Sequence, residues 1–196
     1  MHLRDIIKKS DGEFLSFYNL VYENKDGSKK IYEMVSPIKD LSLKNSDLLS
    51  NSKPRSVVII PLSEDKQRIV LNKEYRLAVN TLTYNTVAGF IEKGESIEEA
   101  ARREIKEETG LDLVSIIDIL PPCFSAVGLT NERNVCVFCT VKGEINSENA
   151  GVDEEIEAVW VSKQEFSELL KQGVNMAART QMFGYLWVNG GLLGNV

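Results

Sequence analysis

The chain has 196 residues, 43% of them hydrophobic and 27% charged, and a formal net charge of -6. That is enough apolar chain to bury a substantial core, and the length suits one domain with an appended subdomain. The acidity argues against general nucleic-acid binding, which needs a basic footprint, and the single histidine, His2, excludes triads, histidine acid-base pairs and His-ligated zinc.

The amino terminus, MHLRDIIKKSDGEF, carries charges every few residues and lacks the apolar core of a signal peptide. No uncharged run reaches membrane-spanning length, so no membrane partner and a cytoplasmic location are expected. His2 is expected in a mobile terminus. Next come EFLSFYNLVYEN and KKIYEMVS, two strands joined through Asp26 and Gly27 as a hairpin, which together suggest a small β subdomain over residues 1–52. SDLLSNSKPRS reads as a linker. A central α/β domain, residues 53–196, begins with the apolar strand SVVIIPL.

The spacing then predicts strands in QRIVLNKEYR, TLTYNTVAGF, LVSIIDIL, NVCVFCTVKGEI and EIEAVWV, with PPCFSAVGLTNER as an irregular loop. Helices are expected from about Lys163 to Lys171 and from Asn175 to Val188, the aromatic residues of the second packing on the core. Cys136 and Cys139 form a CxxC, but within a β-branched run that reads as a strand. Residues three apart on a strand point to opposite faces, so buried thiols rather than a zinc or redox pair are expected.

The segment GFIEKGESIEEAARREIKEETGL, from Gly89 to Leu111, carries the chemistry. Ser96 with Glu99 reads as a capping box and Gly110 as the helix stop. On a wheel of about 100° per residue, Ala100, Ala101 and Ile105 share a face with Ile97, while Glu98, Glu99, Arg102 and Lys106 lie opposite. Glu104 and Glu108 fall roughly 20° either side of Ile97, inside the apolar stripe, with Glu107 at its edge. Buried carboxylates are costly unless paired or neutralised, and a hard divalent cation with oxygen ligands would offset the cost.

The segment resembles the Nudix box of the Nudix hydrolases at every defining position. The resemblance implies an α/β fold, the Nudix α/β/α sandwich with a mixed sheet, beside the small antiparallel subdomain. It implies Mg²⁺ or Mn²⁺ held by Glu104, Glu107 and Glu108 with the carbonyl of Ala88. Arg103 is then paired with Glu95, and Gly89, Glu95 and Gly110 shape the motif.

The amino-terminal subdomain, EYR at Glu74 to Arg76, VAGFIEKGES and SAVGLTNER are similar to ADP-ribose pyrophosphatases and related nucleoside-diphosphate-sugar hydrolases. That likeness implies hydrolysis of a nucleotide-sugar pyrophosphate, with ADP-ribose giving AMP and ribose 5-phosphate. It also implies a homodimer formed through the amino-terminal subdomain, Arg76 on the substrate, and Glu132 as general base, with Asp153 to Glu155 as the other acidic candidate. Two positions depart from it: many such enzymes have proline where Val127 stands, and often glutamate where Asn85 stands. A nucleoside triphosphate pyrophosphatase and a catalytically idle nucleotide sensor are the alternatives.

Overall fold

The computed structural model describes residues 1–146 and 156–190, so the acidic stretch Asp153 to Glu155 lies outside the described residues. In chain order the elements are β1 (His2–Asp11), β2 (Ser16–Glu23), β3 (Lys29–Ser36), a 3-10 turn (Leu43–Asn45), α1 (Leu48–Asn51), β4 (Ser56–Leu62), β5 (Arg68–Arg76), a second 3-10 turn (Leu77–Val79), β6 (Thr81–Asn85), β7 (Ala88–Phe90), α2 (Ile97–Thr109), β8 (Asp112–Ile119), β9 (Cys123–Phe124), β10 (Arg133–Lys142), β11 (Ile156–Ser162), α3 (Lys163–Gln172) and α4 (Ala178–Val188). They gather into two compact units. One comprises Met1–Arg55 with Pro122–Asn134, and the other Ser56–Pro121 with the chain from Val135 onward.

The smaller unit is built on an antiparallel sheet of order β1-β2-β3. The β2–β3 hairpin closes as its residues dictate: Asp26 Oδ1 accepts from the Ser28 backbone at 3.0 Å, and Gly27 adopts φ 81°. Tyr18, Leu20 and Met34 form its core with Ile6 and Leu41, and the Tyr18 hydroxyl donates to the Ile38 carbonyl at 2.9 Å.

His2 does not sit in a loose terminus. It opens β1, opposite Glu23. Only Ile6 of that strand is buried, so β1 shows no hydrophobic alternation and is held by its backbone ladder to β2. The expected linker contains the single helical turn α1. The loop PPCFSAVGLTNER is tied to this unit over long sequence distances: the Val35 backbone donates to the Leu129 carbonyl at 3.0 Å and the Tyr32 hydroxyl to the Gly128 carbonyl at 2.7 Å.

In the larger unit a mixed sheet runs in the order β11-β5-β4-β10-β8, with β6 beside β5 and β7 beside β4. Strand alternation makes the sandwich. Val57, Ile59, Val70, Val135, Val137, Cys139, Val141 and Ala158 face α2, while Ile60, Leu62, Ile69, Leu71 and Val161 face Phe166 of α3 and Phe183 and Trp187 of α4. At Gly184 a β-carbon would lie 1.8 Å from the Phe166 ring, so only glycine lets the two helices close.

The last helix begins at Ala178 rather than Asn175. The three residues before it are committed to β6, the Tyr84 backbone donating to the Asn175 carbonyl at 2.8 Å and the Ala177 backbone to Asn85 Oδ1 at 3.2 Å. None of the three cysteines, all of them described, is in a disulfide. Cys139 is buried in the α2-facing core, and that burial pushes its thiol up to about 12, which leaves it protonated and inert at neutral pH.

Candidate metal centre

The site is assembled on α2. Its amino terminus is closed by Ser96, whose hydroxyl accepts from the Glu99 backbone at 3.2 Å while the Glu99 carboxylate accepts from the Ser96 backbone at 2.8 Å. Its far end stops at Gly110 in the left-handed region, φ 75°. Between these caps Ala100, Ala101 and Ile105 are fully buried, and the helix packs on β4, β7, β8 and β11.

Glu104 and Glu108 share that buried face, each only 8% exposed. Glu107 stands at its edge with about half of its side chain in solvent, 52%. The phase of the helix thus carries two carboxylates inward, among alanine and isoleucine.

Gly89 on β7 explains how one of them fits. A β-carbon there would stand 1.9 Å from the Glu104 carboxyl carbon. Glycine is therefore the residue that admits Glu104 against the strand. Ala88, the residue before it, begins β7 and pairs with Val58 of β4.

Arg103 binds the loop to the helix. Its Nε donates to Glu95 Oε1 at 2.9 Å, one terminal nitrogen to Glu104 Oε1 at 2.7 Å and Glu107 Oε2 at 3.0 Å, and the other to Glu95 Oε2 at 3.1 Å and the Phe90 carbonyl at 2.8 Å. The planar fork of guanidinium makes this pattern available to arginine and not to lysine. Glu95, followed by Glu104 and Glu107, holds the guanidinium well above its ordinary value. In return Arg103, together with the backbone N–H of Glu92, holds the Glu95 carboxyl below the usual carboxylate range.

Three carboxylates, Glu95, Glu104 and Glu107, share one guanidinium, with Glu108 on the same buried helix face as Glu104, so the trio carries more negative than positive charge in a place half removed from water. Among the described residues no three Asp, Glu, Cys or His side chains already converge as a closed ligand cage. Magnesium does not require one, since it takes one or two carboxylates and completes its octahedron with water and substrate phosphates. Hard oxygen donors, an inward pair of them and unbalanced charge fit such an ion.

Arg76, at the end of β5, is half exposed and pairs with Glu74 Oε1 at 3.0 Å. Asn85 is buried and donates to Glu74 and, at 2.8 Å, to Thr83 Oγ1. Glu132 belongs to the smaller unit, where its backbone N–H donates to Thr130 Oγ1 at 3.1 Å. Val127 is exposed in the same loop. One residue that the sequence reading passed over, Asn72 of β5, donates from Nδ2 to Glu108 Oε2. Its signal was available: a buried amide directly after the apolar run Ile69 to Leu71.

Residues 52–181 match the NUDIX domain as a family. The chain belongs to the Nudix family. Among curated Nudix relatives, the ADP-sugar pyrophosphatase of Mus musculus is 28% identical over 142 residues, covering 72% of this chain and 60% of that protein. The NAD-capped RNA hydrolase of Schizosaccharomyces pombe is 41% identical over 61 residues, 31% of this chain and 16% of that protein. For the first relatives matched, the aligned segment spans 55% to 60% of their length.

A solved structure described as an ADP compounds hydrolase superposes with a TM-score of 0.68 over 97% of this chain and 96% of its own, at 18% identity. The two share a fold. Nudix hydrolases generally use divalent metal ions, and the inward glutamates of α2 lie within the matched segment.

Proposed function

We propose that the chain is a metal-dependent Nudix pyrophosphohydrolase acting on a nucleoside diphosphate sugar, with ADP-ribose cleaved to AMP and ribose 5-phosphate. The observation that carries this reading is the pair of carboxylates, Glu104 and Glu108, turned into the apolar face of α2 with Gly89 opened to receive one of them. The mouse relative, whose name is ADP-sugar pyrophosphatase, supports the substrate class.

In this reading Mg²⁺ or Mn²⁺ is held by Glu104, Glu107, Glu108 and the Ala88 carbonyl. When bound, the ion neutralises pyrophosphate charge and lowers the pKa of a coordinated water. Arg103 keeps the carboxylates in register through its bonds to Glu95, Glu104 and Glu107. Arg76 takes the substrate's phosphates or terminal ribose. Glu132 accepts the proton as water oxygen bonds to phosphorus and the phosphoanhydride P–O bond breaks, the electron pair leaving with the departing phosphate. Residues 1–52 form a homodimer and residues 53–196 the hydrolase domain. A cytoplasmic location agrees with the absence, among the described residues, of any helix long and apolar enough to cross a membrane.

A second reading takes NAD-capped RNA as substrate, after the name of the fission yeast relative. The net charge of -6 works against an extended RNA contact.

The test is a panel of ADP-ribose, other sugar nucleotides, dinucleotides, nucleoside triphosphates and NAD-capped RNA, each with Mg²⁺ or Mn²⁺, with products identified. AMP and ribose 5-phosphate from ADP-ribose are expected. Inorganic pyrophosphate from triphosphates would replace this reading with a triphosphate pyrophosphatase. Binding without cleavage of any member would leave an idle nucleotide sensor.

A further inference from the structure

We infer that Asn72 is a positioning residue for Glu108: its side-chain amide fixes the carboxylate in the orientation that receives the cation, without neutralising it. The inference rests on the metal reading above.

Asn72 sits in the middle of β5, opposite Ala158 of β11 on one side and Asn85 of β6 on the other. Its backbone is therefore held between two strands, a rigid mount for a side chain that must not wander. It is 2% exposed.

On the same face of β5, two residues earlier, stands Val70, fully buried in the α2-facing core. From Val70 the face turns polar, with Asn72 and then Glu74 buried at the next two inward positions. An asparagine there gives up hydration for both ends of its amide, and the structure recovers only one end. Nδ2 donates to Glu108 Oε2, whereas among the described residues the buried Oδ1 accepts no hydrogen bond. A half-satisfied buried amide is a poor device for stability, because the unmet acceptor retains its desolvation cost. It is a good device for orientation.

The contact also joins residues 36 apart in sequence, so the sheet takes part in aiming this carboxylate. Glu104 is held differently, by the Arg103 guanidinium next to it in the chain. A guanidinium offsets part of the charge it holds. A neutral amide aims Glu108 without adding a positive charge of its own beside it.

The test uses the full chain and Mn²⁺ alone, read by loss of the free-ion electron paramagnetic resonance signal, with Tm followed by circular dichroism. Asn72→Ala is expected to weaken Mn²⁺ binding about 10- to 100-fold, the range for outer-shell partners of metal ligands, while the protein stays folded. In a Glu108→Gln background the same substitution is expected to add less than about twofold, since it acts through Glu108. Asn72→Ser, whose shorter side chain cannot reach the carboxylate, is the second variant and should behave like Asn72→Ala. Wild-type affinity in the folded variants, or an independent loss in the double variant, would overturn the inference. Loss of the fold in both variants would overturn it in favour of a purely architectural residue. If the wild type itself bound no Mn²⁺, the metal reading would fail first and take this inference with it.

Discussion

Helices α2 and α3 are written with the same local grammar. Each opens on a serine whose hydroxyl accepts from a glutamate backbone three residues on, Ser96 with Glu99 and Ser162 with Glu165. Each has a lysine in its last turn, Lys106 and Lys171, and each stops at a left-handed glycine, Gly110 and Gly173. What differs is where the acids point. In α3 the buried residue is Phe166, whereas α2 buries Glu104 and Glu108. Caps specify that a helix forms; the angular position of its charges specifies what that helix is for.

The comparison breaks most directly at Glu108. Glu108→Gln is expected to lower turnover of ADP-ribose by at least about 100-fold, with Tm unchanged or raised because one of several crowded carboxylates is gone. Glu168→Gln on α3 should leave turnover unaltered. Equal turnover in both variants would reduce α2 to the status of α3.

Gly89→Ala comes next. Its β-carbon would overlap the Glu104 carboxyl, so a stability loss of about 1–3 kcal/mol from overpacking is expected. Turnover should fall by about 10-fold or more as the carboxylate is displaced. Denaturant melts and steady-state kinetics on the one variant separate the two effects.

The caps sharpen the likeness. Ser96→Ala and Ser162→Ala should each cost about 1 kcal/mol in urea unfolding, and the change at α3 should spare kcat/KM.

The smallest effect is in acid. Glu165 is held below its ordinary value by the Ser162 backbone N–H and hydroxyl, and Glu95 by Arg103 and then the Glu92 backbone. A depressed carboxyl contributes stability that is fully present above its unfolded value, near 4.5, and lost as pH falls through the lower folded value. Glu165→Gln and Glu95→Gln should therefore each flatten the fall of Tm below about pH 4.5. A wild-type acid limb in either variant would remove that group from the account.

Much of this was written in local pattern. The inward phase of Glu104 and Glu108 follows from their spacing against Ala100, Ala101 and Ile105, and SVVIIPL reads as a buried strand, whereas the sandwich is implied by the Nudix resemblance and not by periodicity. What escaped is non-local. β1 exposes nearly its whole length and is specified by its partner strand rather than by its own residues. The late start of α4 is set by a hydrogen bond from the Tyr84 backbone of β6 to the Asn175 carbonyl and one from the Ala177 backbone to Asn85 of β6, about ninety residues apart in the chain. Asn72 reads as a flaw in a strand until Glu108 is beside it. The position of Glu132 is a matter of tertiary arrangement, which no motif encodes.

The protonated thiol of Cys139 has a practical consequence. Because it is sealed in the sheet and its two companions are more accessible, with Cys123 exposed, alkylating reagents should modify the chain in two stages. Reaction at Cys139 waits for the larger unit to open. The rate of that second stage is a clock for fluctuations of the sheet beneath α2, and its slowing on addition of manganese would report, with no substrate present, how firmly an ion clamps the helix to the strands.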